Sequence, residues 1–175
     1  MDFSIRAARA EDARAIAQVQ VESWKTTYGE IVPKAFLDSL DTEVRAQVWL
    51  EQLSKGTNIL FVAENRSGIF GFASGGALRE AIDGYDGELF AIYLLRAFQR
   101  GGAGRRLIQT LAHAMDSDGF QRMAVWVLAQ NPAVSFYKRI GGVQLAAKTI
   151  DIGGEQRDEL AFGFELSDLC SRPDE

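Results

Sequence analysis

The 175-residue chain contains a single cysteine, Cys170, and a single histidine, His113. One cysteine excludes an intrachain disulfide, and one residue of each type provides no ligand cluster for a zinc ion, so no metal site is expected. The N-terminus lacks a basic stretch followed by an apolar signal core, and no apolar run is long enough to span a bilayer. These absences predict a cytoplasmic protein that does not associate with membranes.

Basic residues are also in the minority, because 19 lysines and arginines stand against 24 aspartates and glutamates, a formal net charge of −5. This balance argues against a general nucleic-acid-binding protein and slightly favours cationic substrates. The length suits one domain with a substantial core. We expect this domain to span residues 1–168 and to be followed by a polar C-terminal tail at residues 169–175.

The most informative segment present is glycine-rich and covers residues 99–104, with the sequence QRGGAG. It follows an apolar run at 88–95 and precedes an amphipathic run that begins at Arg105. The order strand, glycine turn, helix exposes backbone N–H groups at the positive end of a helix, where an anion binds well. The segment therefore predicts a site for a phosphorylated ligand. The alternative is a glycine-rich turn that binds nothing.

Two other phosphate-binding motifs do not match this segment. A Walker A loop requires Lys-Ser or Lys-Thr after its last glycine, whereas Gly104 is followed by Arg105 and Arg106. A dinucleotide-binding fingerprint requires a third glycine where this chain has Leu107.

Hydrophobic periodicity and turn residues predict an α/β protein with a mixed sheet. Asn131 and Pro132 form a good start for a helix, Asp41 can cap another, and Gly153-Gly154 suits a hairpin loop. The predicted strands are 3–7, 59–63, 69–74, 88–95, 123–128, 145–152 and 155–164, and the predicted helices begin near residues 11, 33, 42, 105 and 133.

From end to end this pattern resembles the GNAT N-acetyltransferase superfamily. Gln99, Gly102 and Gly104 match the fixed positions of the family's acetyl-CoA loop. The strand, Asn131 and the tyrosine-containing helix that follow are similar to a later family motif, and Trp24 and Tyr28 are similar to aromatic positions of one family branch. The resemblance implies a GNAT fold, in which the central strands splay apart and helices flank the sheet.

The resemblance implies acetyl-CoA as the co-substrate. Its pyrophosphate would lie on the glycine loop and its pantetheine arm along the strand before the loop. The implied cofactor-binding residues are Ile92, Tyr93, Leu94, Gln99, Arg100, Gly101, Gly102, Ala103, Gly104, Arg105 and Asn131. Asn131 alternatively serves only as a helix cap.

The implied activity is direct transfer of the acetyl group to a primary amine of a small molecule or peptide. Tyr137 stands at the family's general-acid position. A phenol suits this role because it stays protonated at pH 7. Glu88 is the candidate base, acting directly or through water, and Trp24 and Tyr28 would line the acceptor pocket. The alternative for the three aromatic residues is core packing, and for Glu88 it is an exposed charge at the start of a strand.

The family resemblance leaves two other functions open, a non-catalytic acyl-CoA-binding module and an acyltransferase with a longer acyl donor. It also allows a homodimer. The identity of the acceptor amine does not follow from the sequence, because one fold serves many acceptors.

Overall fold

The computed structural model describes residues 2–171. Its strands are β1 (Ser4–Ala7), β2 (Ile59–Asn65), β3 (Gly68–Ala77), β4 (Gly87–Leu94), β5 (Arg122–Leu128), β6 (Val143–Ile152) and β7 (Glu155–Glu165). Its helices are α1 (Ala13–Thr27), α2 (Lys34–Asp38), α3 (Thr42–Lys55), α4 (Ala103–Ser117), α5 (Ala133–Arg139) and α6 (Leu166–Ser171). None of the described helices is long and apolar enough to cross a membrane.

The seven strands form one sheet in the order β1-β2-β3-β4-β5-β7-β6. Neighbouring strands are antiparallel except β4 and β5, which are parallel. The parallel pair is short, because it joins only Gly87–Leu89 to Met123–Val125. Beyond Leu89 the two strands separate, which confirms the predicted mixed sheet with splayed central strands and leaves the backbone edge of β4 open.

A β-bulge in β4 decides which side chains face each side of the sheet. Ser74 lies opposite Ala91 and Gly75 lies opposite Leu89, so Phe90 is an extra residue on β4. Because side chains alternate along a strand, Tyr93 consequently shares a face with Glu88, although the two positions differ in parity.

Helices cover both faces of the sheet. Tyr93 packs into a cluster formed with residues of α1 and α3, such as Ile16 and Trp49. On the opposite face, Ile92 packs against a cluster that includes Leu107 and Leu111 of α4. The open edge of β4 therefore lies between two packed layers.

Local sequence signals explain most helix ends. The Asp41 carboxylate accepts a hydrogen bond of 2.9 Å from the Val44 N–H at the start of α3, as predicted. Helix α3 continues to Lys55 and ends at Gly56, whose φ of +62° is in the left-handed region.

The C-terminal helix α6 differs from the sequence prediction, which placed a polar tail at 169–175. The chain stays helical to Ser171, and the side chains of Leu166 and Leu169 are buried in the same cluster as α4. Their three-residue spacing places both on one helix face, so apolar burial outweighs the polar neighbours. The remainder of the predicted tail, residues 172–175, lies outside the described residues.

Candidate active site

The glycine turn leads directly into α4, as the sequence predicted. Gly102 precedes the helix with a φ of +85°, a left-handed conformation that glycine adopts at little cost. Gly104 lies in the first turn, where an added Cβ would be 3.1 Å from Leu94 Cδ1, so the helix can approach β4 closely. Arg100 has a φ of +63°, which is uncommon for a residue with a side chain. This loop presents the first-turn N–H groups of α4 to the gap beside β4.

A cavity of about 940 Å³ opens at this end of α4, and we call it the arginine cavity. Four arginines line it, and none of its lining residues in the described part of the chain is acidic. It brings together most of the predicted cofactor residues: Ile92, Tyr93, Leu94, Gln99, Arg100, Gly102, Gly104, Arg105 and Asn131. Arg96 and Arg139 complete the set of arginines, and the sequence analysis did not select them.

Two predicted cofactor residues do not line the arginine cavity. Gly101 is exposed beside it, and Ala103 is 3% exposed with its side chain in the core cluster of α4. Only the backbone of these two residues is available to a ligand. Gln99 lines the cavity, and its Nε2 donates a hydrogen bond of 3.0 Å to the Leu94 carbonyl, which ties the loop to the end of β4.

A second cavity of about 570 Å³ lies beyond the splayed strands, and we call it the carboxylate cavity. Trp24, Tyr28 and Phe36 form an aromatic wall. Its charged lining comprises Arg79, Glu80, Glu88, Lys148, Asp151 and Glu159, so carboxylates outnumber cations. The two cavities share Tyr28, Ile92, Tyr93, Asn131, Ala133 and Tyr137. A ligand in one cavity would therefore meet a ligand in the other at these six residues.

Tyr137, on α5, is the shared residue with chemical potential. It is 4% exposed, and its ring packs against Phe162 and Phe164 at centroid distances of 6.2 and 6.3 Å. Burial raises the pKa of the Tyr137 phenol, so the group stays protonated. None of the described residues forms a hydrogen bond with its hydroxyl. The two cavities therefore share a neutral phenol in their lining.

The other aromatic residues at the junction are held by hydrogen bonds. Asn131 donates from Nδ2 to the Tyr28 hydroxyl over 2.7 Å, and its Oδ1 accepts from the Ala133 N–H over 2.8 Å. Trp24 donates from Nε1 to the Tyr93 hydroxyl over 2.8 Å, and its ring lies 4.5 Å from that of Tyr28. Asn131 therefore caps α5, as predicted, and also connects α5 to the end of α1.

Glu88 lies in the carboxylate cavity and is not the exposed charge that was the alternative to the role of base. It is 2% exposed. One carboxylate oxygen accepts the backbone N–H of Arg79 at 3.0 Å, and the other accepts Nε of Arg79 at 3.1 Å together with its Nη2. The Arg79 guanidinium also lies 4.8 Å above the Phe90 ring. Both oxygens of Glu88 are thus occupied by one arginine from the loop after β3.

The sequence analysis missed the part of the cavity that the β6–β7 hairpin supplies. Lys148 pairs with Glu80 at 2.5 Å, and its ammonium lies 4.2 Å above the Trp126 ring. Glu159 is half-buried, and desolvation raises the pKa of its carboxyl group. The hairpin itself was predicted from the sequence, but its alternating pattern does not indicate that one of its faces lines a cavity.

Comparisons with known proteins agree with this geometry. The model of the FR47-like protein family matches residues 67–150, which include β4, the glycine turn and α5. An uncharacterized N-acetyltransferase, YuaI of Bacillus subtilis (strain 168), is 42% identical over 168 residues, 95% of each chain.

Solved structures also resemble the chain throughout its length. The PaiA N-acetyltransferase of Thermoplasma acidophilum in complex with coenzyme A has a TM-score of 0.69 at 23% identity and covers 91% of this chain and 98% of its own. YncA of Salmonella typhimurium, a putative acetyltransferase with its cofactor acetyl-CoA, has a TM-score of 0.71 at 22% identity and 95% coverage of both. By its fold and its identity to a named N-acetyltransferase, the chain belongs to the GNAT superfamily of N-acetyltransferases.

Proposed function

We propose that the protein transfers the acetyl group of acetyl-CoA directly to a primary amine of a small molecule or peptide. The observation that carries this proposal is the meeting of two differently charged cavities at Tyr137. The arginine cavity suits a polyanionic donor, and the carboxylate cavity suits a cationic acceptor. Each ligand would enter from its own side and present its reacting atom at the junction.

The donor would bind to the loop and to the open edge of β4. The pyrophosphate accepts hydrogen bonds from backbone N–H groups between Arg100 and Arg105, and the arginine side chains add charge-assisted contacts. Gly101 and Ala103 contribute only backbone groups. The pantetheine amides pair with β4 at Ile92–Leu94, where β5 has separated. This assignment agrees with the coenzyme A and acetyl-CoA that PaiA and YncA contain.

The chemistry divides among groups at the junction. A backbone N–H near Ile92 stabilises the oxyanion of the tetrahedral intermediate, and Tyr137 donates its hydroxyl hydrogen to the departing sulfur. Trp24 and Tyr28 form the wall against which the acceptor lies. The amine must lose a proton, and Glu88, the base predicted from the sequence, is one of four carboxylates in the cavity.

The first test combines binding with turnover. We expect acetyl-CoA to raise the Tm in a concentration-dependent manner, because a ligand that binds the native state stabilises it against unfolding. We also expect CoA release with at least one amine among 1,4-diaminobutane, L-lysine, L-methionine and glycylglycine. A Tm rise without turnover would favour a non-catalytic acyl-CoA-binding module, and a larger rise with a longer acyl-CoA would change the donor. The absence of any rise in folded protein would refute the proposed site.

A further inference from the structure

Three of the four carboxylates in the carboxylate cavity are occupied by other groups of the chain. Arg79 binds Glu88, and Lys148 binds Glu80. Asp151 accepts the Gly154 N–H at 3.0 Å and the Gln156 Nε2 at 3.4 Å within the β6–β7 hairpin. Among the described residues, none donates a hydrogen bond to Glu159 or forms an ion pair with it. Glu159 is thus the carboxylate whose oxygens are free for a ligand.

The position of Glu159 directs it to the reaction centre. It lies opposite Leu128 on β5 and Lys148 on β6, and paired residues of adjacent strands share a face. Burial is the main cause of the raised pKa of the Tyr28 phenol, and the negative charge of Glu159 adds a smaller contribution. Tyr28 lines both cavities, so the influence of Glu159 extends to their junction.

All charged groups that act on Glu159 belong to the same cavity. Lys148 and Arg79 favour its ionised form, whereas Glu80 and Glu88 oppose it. Desolvation is the largest effect and raises the pKa of Glu159 above its usual value. A carboxylate in this environment holds a proton more tightly than an exposed one, which favours its use as a general base.

We infer that Glu159, rather than Glu88, is the general base for the acceptor amine, an assignment that rests on the proposed acetyl transfer. Glu159 removes a proton from the acceptor ammonium, and the freed lone pair forms the C–N bond to the thioester carbon. As the intermediate collapses the C–S bond breaks, and the sulfur takes a proton from Tyr137. The second nitrogen proton restores that of Tyr137 through solvent, and Glu159 releases its own to solvent.

Glu88 then has a different role, as a positioning residue. Its three hydrogen bonds fix Arg79 against Phe90 at the edge of the cavity. Using Glu88 as a base would require its buried carboxylate to give up the hydrogen bonds from Arg79 that satisfy both of its oxygens, which is costly.

The test compares Glu159→Gln with Glu88→Gln and with a control, Asp158→Asn. Asp158 is the neighbouring carboxylate on β7; it is exposed and accepts a hydrogen bond from the Thr149 hydroxyl. Initial rates are measured from pH 5.5 to 9 with acetyl-CoA and the four probe amines named above. We expect Glu159→Gln to lower kcat about 10²- to 10⁴-fold and to remove the low-pH limb that the carboxylate causes, so that the rate follows only the free fraction of the amine and rises through pH 9. The Tm rise with acetyl-CoA should be unchanged, and Asp158→Asn should retain the wild-type rate and pH profile.

Each other result overturns the inference. A Glu159→Gln enzyme with wild-type kcat, or with only a raised KM, would make Glu159 a binding group or a spectator. Loss of the low-pH limb in Glu88→Gln alone would return the role of base to Glu88. If the wild-type protein turns over none of the amines, the proposed function fails first and the assignment of Glu159 fails with it.

Discussion

Single residues at the junction combine packing with chemistry, and Tyr137 illustrates this most clearly. Its ring packs against Phe162 and Phe164 of β7, and the residue also lines both cavities. The two interpretations of the sequence, packed aromatic and proton donor, are therefore compatible. The raised pKa of Tyr137 makes it a persistent hydrogen-bond donor at every pH at which the protein would work.

Replacing Tyr137 with phenylalanine separates these two roles. The ring contacts remain, so the Tm should change little, while loss of the O–H should lower kcat roughly 10²-fold or more. The Kd for acetyl-CoA should stay within about twofold of wild type. Tyr85→Phe, which changes a tyrosine outside both cavities, is the matched control for rate and stability. A Tyr137→Phe enzyme with undiminished kcat would exclude Tyr137 as the proton donor.

Residue type predicts which side chains line a cavity better than it predicts the partners of those side chains. The sequence indicated Glu88 and Tyr137 as chemically relevant, and both line the carboxylate cavity. It could not indicate that Arg79 occupies Glu88, because the pairing depends on how a loop folds back over β4. Arg105 and Arg106 show the same limit, since only Arg105 lines a cavity and Arg106 lies 4.6 Å above the ring of Phe3.

At the scale of elements, the turn between β4 and α4 depends on one unusual backbone conformation. Gly102 has a φ of +85°, whereas Gly101 does not lie in the left-handed region and would place a Cβ 3.9 Å from its nearest neighbour. Of these two adjacent glycines, only Gly102 therefore requires a left-handed backbone conformation.

This difference predicts unequal effects for two neighbouring substitutions. Gly102→Ala should reduce the free energy of unfolding by about 1–2 kcal/mol, because alanine is strained in the left-handed region. It should also weaken acetyl-CoA binding by distorting the N–H groups that precede α4. Gly101→Ala should change the free energy of unfolding by no more than about 0.5 kcal/mol. Denaturant unfolding with and without acetyl-CoA measures both effects, and equal losses in the two variants would contradict the argument.

Element order was predictable from periodicity and turn residues, whereas the close contacts between elements were not. The β4 bulge at Phe90 is visible only in the register with β3. Gly142 is a second example, since an added Cβ would lie 2.7 Å from Phe164 Cζ and 2.9 Å from the Tyr137 carbonyl oxygen. Only the fold shows that Phe164 fills the space beside Gly142.

For the whole molecule, local charge opposes net charge. The chain carries −5, yet four arginines surround the arginine cavity without an acidic residue among its described lining. Trp24, Tyr28 and Glu88 of the carboxylate cavity were predicted, but its β6–β7 side was not, because the cavity joins residues from Trp24 to Glu159 across the sheet. The fold class and the glycine turn follow from local motifs, whereas the carboxylate cavity is a product of tertiary assembly.

The separation of charge predicts a strong dependence of donor binding on salt. Raising the ionic strength from 20 to 500 mM should weaken acetyl-CoA binding roughly tenfold, since it screens the attraction between arginines and phosphates. S-acetylpantetheine lacks the nucleotide phosphates and should show little change over the same range. Isothermal titration calorimetry measures both affinities, and parallel salt dependences for the two donors would argue against the arginine cavity as the phosphate site.

The meeting of the two cavities at the junction also predicts the kinetic mechanism. With the proposed donor in one cavity and the proposed acceptor in the other, both can be present on the enzyme together, and no residue has to carry the acetyl group between them. The reaction then proceeds through a ternary complex. In double-reciprocal plots of initial rate, lines obtained at several fixed amine concentrations intersect instead of running parallel.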